Sequence, residues 1–296
     1  MCVTLHDARL GQTTIAGWRV PERRTHCLLY GNEPENRAGV PNAMILHIPV
    51  APGTELTQEN FLPTAGLRFV LEDMWRAAPK FRELRETRGT YGAGLAKGSV
   101  SVFTMGAYTW VVANRADADM ISDALEWIPE YVRPRISRGL IGFYLRTWPD
   151  DALAIGCFSQ AGGKATEPVG IEYPPADWRR LRFPATDAHG EIPDLRARVR
   201  VNHRLIVGTT ELGLGGTVRF REFGTMDARL ARLLFAGASQ VVAAELLDIP
   251  MANGDFYVDF AGFGQDDARL GYILRAHGAE LDGRADEIPA LLTAGG

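Results

Sequence analysis

Cys2, in the opening run MCVTLHDA, is the residue of this 296-residue chain best suited to covalent chemistry. Methionine aminopeptidase removes Met1 when the next side chain is small, and the chain would then begin with a cysteine carrying both a thiol and a free α-amine. An α-amine titrates near about 7.7–8.0 and can serve as the base for an adjacent thiol. That is the logic of N-terminal-nucleophile hydrolases. A free thiol with a pKa of about 8.5 is mostly protonated at neutral pH, so its thiolate needs a cation or donors beside it. Arg19 sits on the strand expected to pair with the first and is the cation best placed in sequence. Asn42, or Asn32, could offer an amide N–H to a tetrahedral oxyanion. Trp18, Tyr30 and Asn32 are the expected substrate-side residues, with Trp110 and Trp148 as further walls of an apolar cleft. Each has a plainer explanation: a surface arginine, asparagines that shape turns, aromatics that fill a core.

His6 is four residues beyond Cys2. In an extended strand that spacing shares a face but separates the side chains by about 13 Å, so His6 is not a partner by spacing. Asp187 and His189 alternate in TDAHG and could face one way, with His203 as a third member of a metal or acid–base site. Hydrogen-bonded histidines and a turn-capping aspartate account for the same residues. No metal and no cofactor enter the main expectation. GTYGAGLAKGS has the glycines of a phosphate loop but places Lys97 before Gly98, whereas a Walker loop needs Gly-Lys-Ser/Thr. Cys27 and Cys157 lie in apolar runs and are expected to be inert buried thiols.

Composition bounds the classes. Hydrophobic residues make up 46% and charged residues 23% of the chain, the net charge is −4, and basic residues are scattered. Nucleic acid is therefore not an expected partner. No stretch approaches the ~20 apolar residues of a membrane span, and His6, Asp7 and Arg9 interrupt any signal-peptide core. Three scattered cysteines suggest neither a disulfide framework nor a zinc site. The expectation is a cytoplasmic protein, without membrane contact, that meets a small-molecule or peptide substrate, with a homo-oligomer left open.

The elements that would position these residues read as α+β: a layered, mainly antiparallel sheet with packed helices in a single unit over residues 1–296, with a weak boundary near 216 and a fraying tail at about 285–296. CVTLHDA, TTIAGWRV, HCLLYGN and NAMILHIPV read as strands, with a loop from Asn32 to Pro41. A helical pattern from Phe69 to Arg88 is broken by Pro79. SVSVFTMGAYTWVVAN reads as two strands about Gly106, and ADMISDALEWI as a helix capped by Asp117 or Asp119. A helix over Pro134 to Thr147 precedes the strand ALAIGCFS. VGIEYPP reads as a strand, RARVRV and RLIV as a hairpin or pair of strands, and Arg229 to Leu247 as the longest helix, apolar on most sides. DFYVDFAGF reads as a strand and RLGYILRAHGAE as a short helix.

Cys2, NAMILHIPV, YTWVVANRADAD, FYLRTWPDDALAIGCF, EPVGIEYPP and LRFPATDAHGEIPDLRARVRV occur in an order that resembles a bacterial family of unknown function, over roughly residues 1–210. That family is known chiefly from exported or membrane-anchored proteins with a cysteine opening the mature region. The resemblance implies an intracellular version in which loss of Met1 exposes Cys2, and it supplies no activity. A looser likeness is to N-terminal-cysteine acyl hydrolases of the bile-salt and penicillin acylase type. GWRVPE offers Arg19 and Glu22 in the corresponding region, but the Gly-Arg-Asn-x-Asp motif is absent. The leading expectation is an amide hydrolase or acyltransferase with Cys2 as nucleophile. A non-catalytic binding or interaction protein is the alternative, and a metal-dependent enzyme built on Asp187, His189 and His203 the second.

Overall fold

The computed structural model describes residues 3–6, 8–81, 84–87, 98–159, 167–189, 192–260 and 273–276. The chain opens with strands β1 (Val3–Thr4), β2 (Ala8–Val20), β3 (Thr25–Asn36), β4 (Asn42–Ile48) and β5 (Phe61–Leu62). Helix α1 (Val70–Ala77) leads to β6 (Lys80–Phe81), β7 (Leu84–Thr87) and the hairpin β8 (Ser99–Met105) and β9 (Tyr108–Asn114). Helices α2 (Ala118–Glu126) and α3 (Arg138–Thr147) precede β10 (Ala152–Phe158), β11 (Val169–Tyr173), β12 (Arg180–Phe183), β13 (Ala188–His189), β14 (Arg198–Gly208) and β15 (Gly216–Thr217). Helix α4 (Ala228–Gly237), β16 (Gln240–Ala252), β17 (Phe256–Asp259) and β18 (Ile273–Ala276) follow.

The architecture is α+β. A first sheet has the order β13-β1-β4-β10-β9-β8, and a second the order β15-β16-β14-β2-β3-β11-β5, with β6 added on β16. A third sheet orders β12-β17-β18-β7. Pairing is mainly antiparallel, and the parallel contacts are β1 with β13, β2 with β14, β6 with β16 and β7 with β18.

Side-chain alternation builds layers. Along β4, Met44, Leu46 and Ile48 face the second sheet, where they meet Ile15, Leu28, Tyr30 and Leu205. Ala43 and Ile45 face the other way, under Ile121, Leu125, Leu140 and Tyr144 of α2 and α3. The second sheet is covered on its outer face in the same fashion: Ala16, Trp18, Leu29 and Ile206 pack against Val70 and Met74 of α1 and Leu230, Leu233 and Leu234 of α4. The order is helices, sheet, sheet, helices. Both sheets are buried on two sides, which is why their central strands read as continuous apolar runs. The third sheet adds Leu181, Phe183, Phe256 and Val258 to the inter-sheet core.

Local chemistry sets the ends of the helices. Asp117 caps α2 by accepting from Met120 N–H, Ser137 caps α3 through Leu140 N–H, and Asp227 caps α4 through Arg229 and Leu230 N–H. Several sequence readings are corrected: the RVRV of RARVRV and RLIV fall in the single strand β14, and the part of the Phe69–Arg88 pattern beyond Pro79 holds strands β6 and β7. The expected helix from Arg229 to Leu247 ends at Gly237, and Gln240–Ala252 is a strand paired with β14 along nearly its whole length. A run apolar on most sides suits a strand buried on both faces as well as it suits a helix. Gly237, the last residue of the helix, lies so close to Trp18 that a Cβ there would come within 2.2 Å of its ring. Residues 32–36, expected in a loop, extend β3 opposite β2 as far as Asn36 with Ala8. Within RLGYILRAHGAE, Ile273–Ala276 is a strand between β17 and β7, not a helix. The glycine-rich run 89–97, Gly162 and Gly163, and the tail beyond 276 lie outside the described residues. Among those described, no helix is long and apolar enough to cross a membrane.

Candidate functional site

The first described strand is held in a slot inside the first sheet. Val3 stands opposite Ile45 of β4 on one side and Ala188 of β13 on the other, and Thr4 stands between Met44 and His189. Chain ends usually fray because few contacts repay the ordering of their backbone. Here the segment that follows is pinned by Asn42, which is fully buried at the start of β4. Its Oδ1 accepts from Leu5 N–H (3.1 Å) and His6 N–H (3.2 Å), and its Nδ2 donates to the His6 carbonyl (3.2 Å). An amide side chain carries a donor and an acceptor on separate atoms and so can pair with backbone N–H and C=O groups together.

The walls of the slot are tied to each other by a buried polar network. His47 lies on β4, and its Nε2 is 2.6 Å from Asp255 Oδ2. The other oxygen of Asp255 accepts from Ala185 N–H, Thr186 N–H and Thr186 Oγ1, which fixes the chain just before β13. Asn253 continues the clamp, accepting from Asp187 N–H and donating to its carbonyl, both at 2.8 Å. Arg182 on β12 completes it, with Nε 2.6 Å from Asp255 and Nη2 2.6 Å from Asp151 at the head of β10. Trp148, just past α3, stacks on His47 at 3.7 Å between ring centroids. Arg182 is 1% exposed, so the network works at low dielectric, where pairing is obligatory. Burial pushes the Asp255 carboxyl up, but His47, Arg182 and the Ala185 N–H outweigh it and hold the group well below the usual carboxylate range. Asp151 is shifted the opposite way, because burial raises it and Arg182 offsets only part of the rise.

The sequence candidates separate once placed. Cys2, the expected nucleophile, lies outside the described residues. Asn42 is beside the N-terminal segment, but its amide is occupied by Leu5 and His6. Arg19 is at the other end of β2, eleven residues from Ala8, or about 36 Å of strand at about 3.3 Å per residue. There it pairs with Glu211 and lies 3.9 Å over the Phe260 ring and 5.0 Å from Trp178. Trp18 is sealed beneath α4 and donates from Nε1 to the Leu233 carbonyl (2.9 Å). Tyr30 is buried in the inter-sheet core. Asn32 bridges the two sheets, accepting from Tyr108 OH (3.2 Å) and donating toward Met44 Sδ (3.5 Å).

Among the described residues no three His, Cys, Asp or Glu side chains are grouped to hold a metal ion. Asp187 is clamped through its backbone by Asn253, and His203 is buried on β14 with its ring 6.1 Å from Phe256. His189 contributes the backbone of β13; its side chain lies outside the description. Cys27 and Cys157 are both buried, with burial pushing the Cys157 thiol up to about 12 and Cys27 well above its ordinary value. Sequence reading missed His47, Asp255, Arg182 and Asp151. The available signal was a histidine and an arginine inside otherwise apolar strands, ILHIP and RLRFP, where a polar residue needs a buried partner.

No family model matches this chain, and no curated protein matches it in sequence. The crystal structure of baculovirus P35 is similar in backbone over 70% of this chain and 67% of that one, at 16% sequence identity and a TM-score of 0.40.

Proposed function

We propose that the protein performs acyl chemistry at Cys2 once Met1 is lost, as an amide hydrolase or acyltransferase of the N-terminal-nucleophile kind. The observation that carries the reading is the slot. A strand beginning at Val3 is bonded on both sides, pinned by Asn42, and flanked by strands that a buried ionic network holds together. In this reading the strand supplies a fixed anchor from which a nucleophile could be oriented, and orientation lowers a barrier substantially. In the proposed step the α-amine takes the thiol proton and the thiolate attacks an acyl carbon. A thioester forms as the bond to the leaving group breaks, and the ammonium returns the proton to that leaving group. Water or an acceptor amine then takes the acyl group. Asn42 acts as a positioning residue, while Arg19 is committed to Glu211 and Trp18 to the Leu233 carbonyl.

Mass spectrometry of protein from its native host tests the premise, and retention of Met1 would sink it. With Met1 absent, p-nitrophenyl acetate should give a burst of p-nitrophenolate and an acetyl adduct on Cys2 that a Cys2→Ala protein does not form. Steady release after the burst supports the enzyme. An adduct that persists without turnover identifies an acyl-accepting interaction protein instead. That second reading is favoured by the commitment of Arg19, Asn42, Trp18 and Asn32 to structural contacts, which leaves no assembled catalytic set among the described residues.

A further inference from the structure

The described residues include three exposed phenylalanines, Phe69 (42%), Phe223 (53%) and Phe235 (46%), on segments that adjoin one another outside the second sheet. Phe223 meets Phe235 of α4 edge to face at 5.3 Å between centroids, and Phe235 also meets the mostly buried Phe220 at 6.0 Å. The Phe69 backbone is tied beside it, because Glu222, the residue before Phe223, accepts from the N–H groups of Arg68 and Phe69 at 3.0 and 2.9 Å, and the Phe69 ring lies 4.5 Å from the Arg221 guanidinium. Isolated exposed apolar side chains are ordinary on a protein surface, whereas a contiguous aromatic patch marks contact with something else.

The charge around the patch is one-sided. Its acids are already engaged: Glu222 by those two amides, Asp73 by Arg221, and Glu72 by Arg76 and Arg221. Arg76 and Arg221 are taken up by these acids, but three further arginines are not. Arg68 precedes Phe69, Arg219 precedes Phe220 and Arg232 lies one turn before Phe235. All three are exposed, and none is paired with an acid among the described residues. An aromatic centre with uncompensated guanidinium groups at its rim is the composition that dominates contact energetics between proteins. It stands out on a chain whose net charge is −4. We propose that this face docks an acidic segment of a partner protein that carries apolar side chains: the apolar groups cover Phe223 and Phe235, and its carboxylates meet Arg68, Arg219 and Arg232.

The test uses the full-length protein and two fluorescein-labelled peptides in anisotropy titrations, one amphipathic peptide of Glu, Leu and Phe and its counterpart with every Glu replaced by Lys. The acidic peptide should bind and the basic one should not, with affinity falling as salt is raised. Phe223→Ser with Phe235→Ser, and separately Arg219→Glu with Arg232→Glu, should each weaken binding by about tenfold or more, while unfolding midpoints stay near the parent value. Equal binding of both peptides, or full binding by the charge-reversed protein, overturns the proposal. So does a dimer in light scattering that the Phe→Ser pair abolishes, which assigns the face to a second copy. Flotation with phosphatidylserine vesicles but no peptide binding assigns it to lipid and likewise overturns it.

Discussion

His26 should make the stability of this protein fall as mildly acidic pH is approached, and the size of the fall follows from its surroundings. The ring is fully buried on β3, 5.3 Å from Trp178 and 5.9 Å from Tyr173 between centroids, with Nε2 3.2 Å from the Trp178 carbonyl oxygen. Nδ1 has no hydrogen-bond partner among the described residues. Burial lowers the pKa from 6.5 to about 3; the bond to Trp178 opposes this and the nearby Arg19 adds to it. Between those two values the unfolded chain binds a proton that the folded chain refuses. The stability tied to neutral His26 is therefore fully present above about pH 6.5 and is lost steadily as pH falls toward 3. At about 1.4 kcal/mol per pH unit, going from about pH 7 to about pH 5 should cost about 2 kcal/mol through this residue. Urea denaturation of the parent and of His26→Gln at both pH values isolates the effect, since glutamine can still donate to Trp178 but does not titrate. Glu172 and Asp255, whose pKa values are lowered on folding, contribute at lower pH and equally in both proteins. The parent should lose about 2 kcal/mol more than the variant. Equal losses in the two proteins would refute the assignment.

The network beside the N-terminal slot makes its own demand. Arg182→Met should destabilise by about 3–5 kcal/mol in denaturant titrations, because it strands the carboxylates of Asp255 and Asp151 in the interior; a loss below 1 kcal/mol would mean that those carboxylates reach water or protonate freely. Asn42→Ala should cost about 2–4 kcal/mol by removing buried bonds to Leu5 and His6, and hydrogen exchange should speed up first at those two amides. Unchanged protection there would show that pairing with β4 and β13 alone holds the segment.

Much of the framework was legible along the chain. NAMILHI, ALAIGCF and the two strands about Gly106 were recognisable as strands because alternation and β-branched content act locally, and Asp117 announced its helix through the same side chain that caps it. The failures share a cause. VVAAELL is equally apolar as helix or strand, and only its partners β14 and β15 decide between them. The candidate site divides in the same way. Asn42 was singled out from its place at a strand head, but its actual duty, bonding the backbone of residues that precede it by 36 and 37 positions, depends on β1 entering beside β4.

By itself the sequence determined the class of the protein, its α+β pattern and modest net charge of −4, which follow from residue type and short-range spacing. Tertiary structure alone decided which residues share a neighbourhood. Arg19 is near the start of the chain in number but lies a strand length from Ala8 along β2, because an extended chain covers about 3.3 Å per residue. His47 and Asp255 are 208 positions apart yet bonded, because no buried charge can remain without its partner and the fold had to bring the two together.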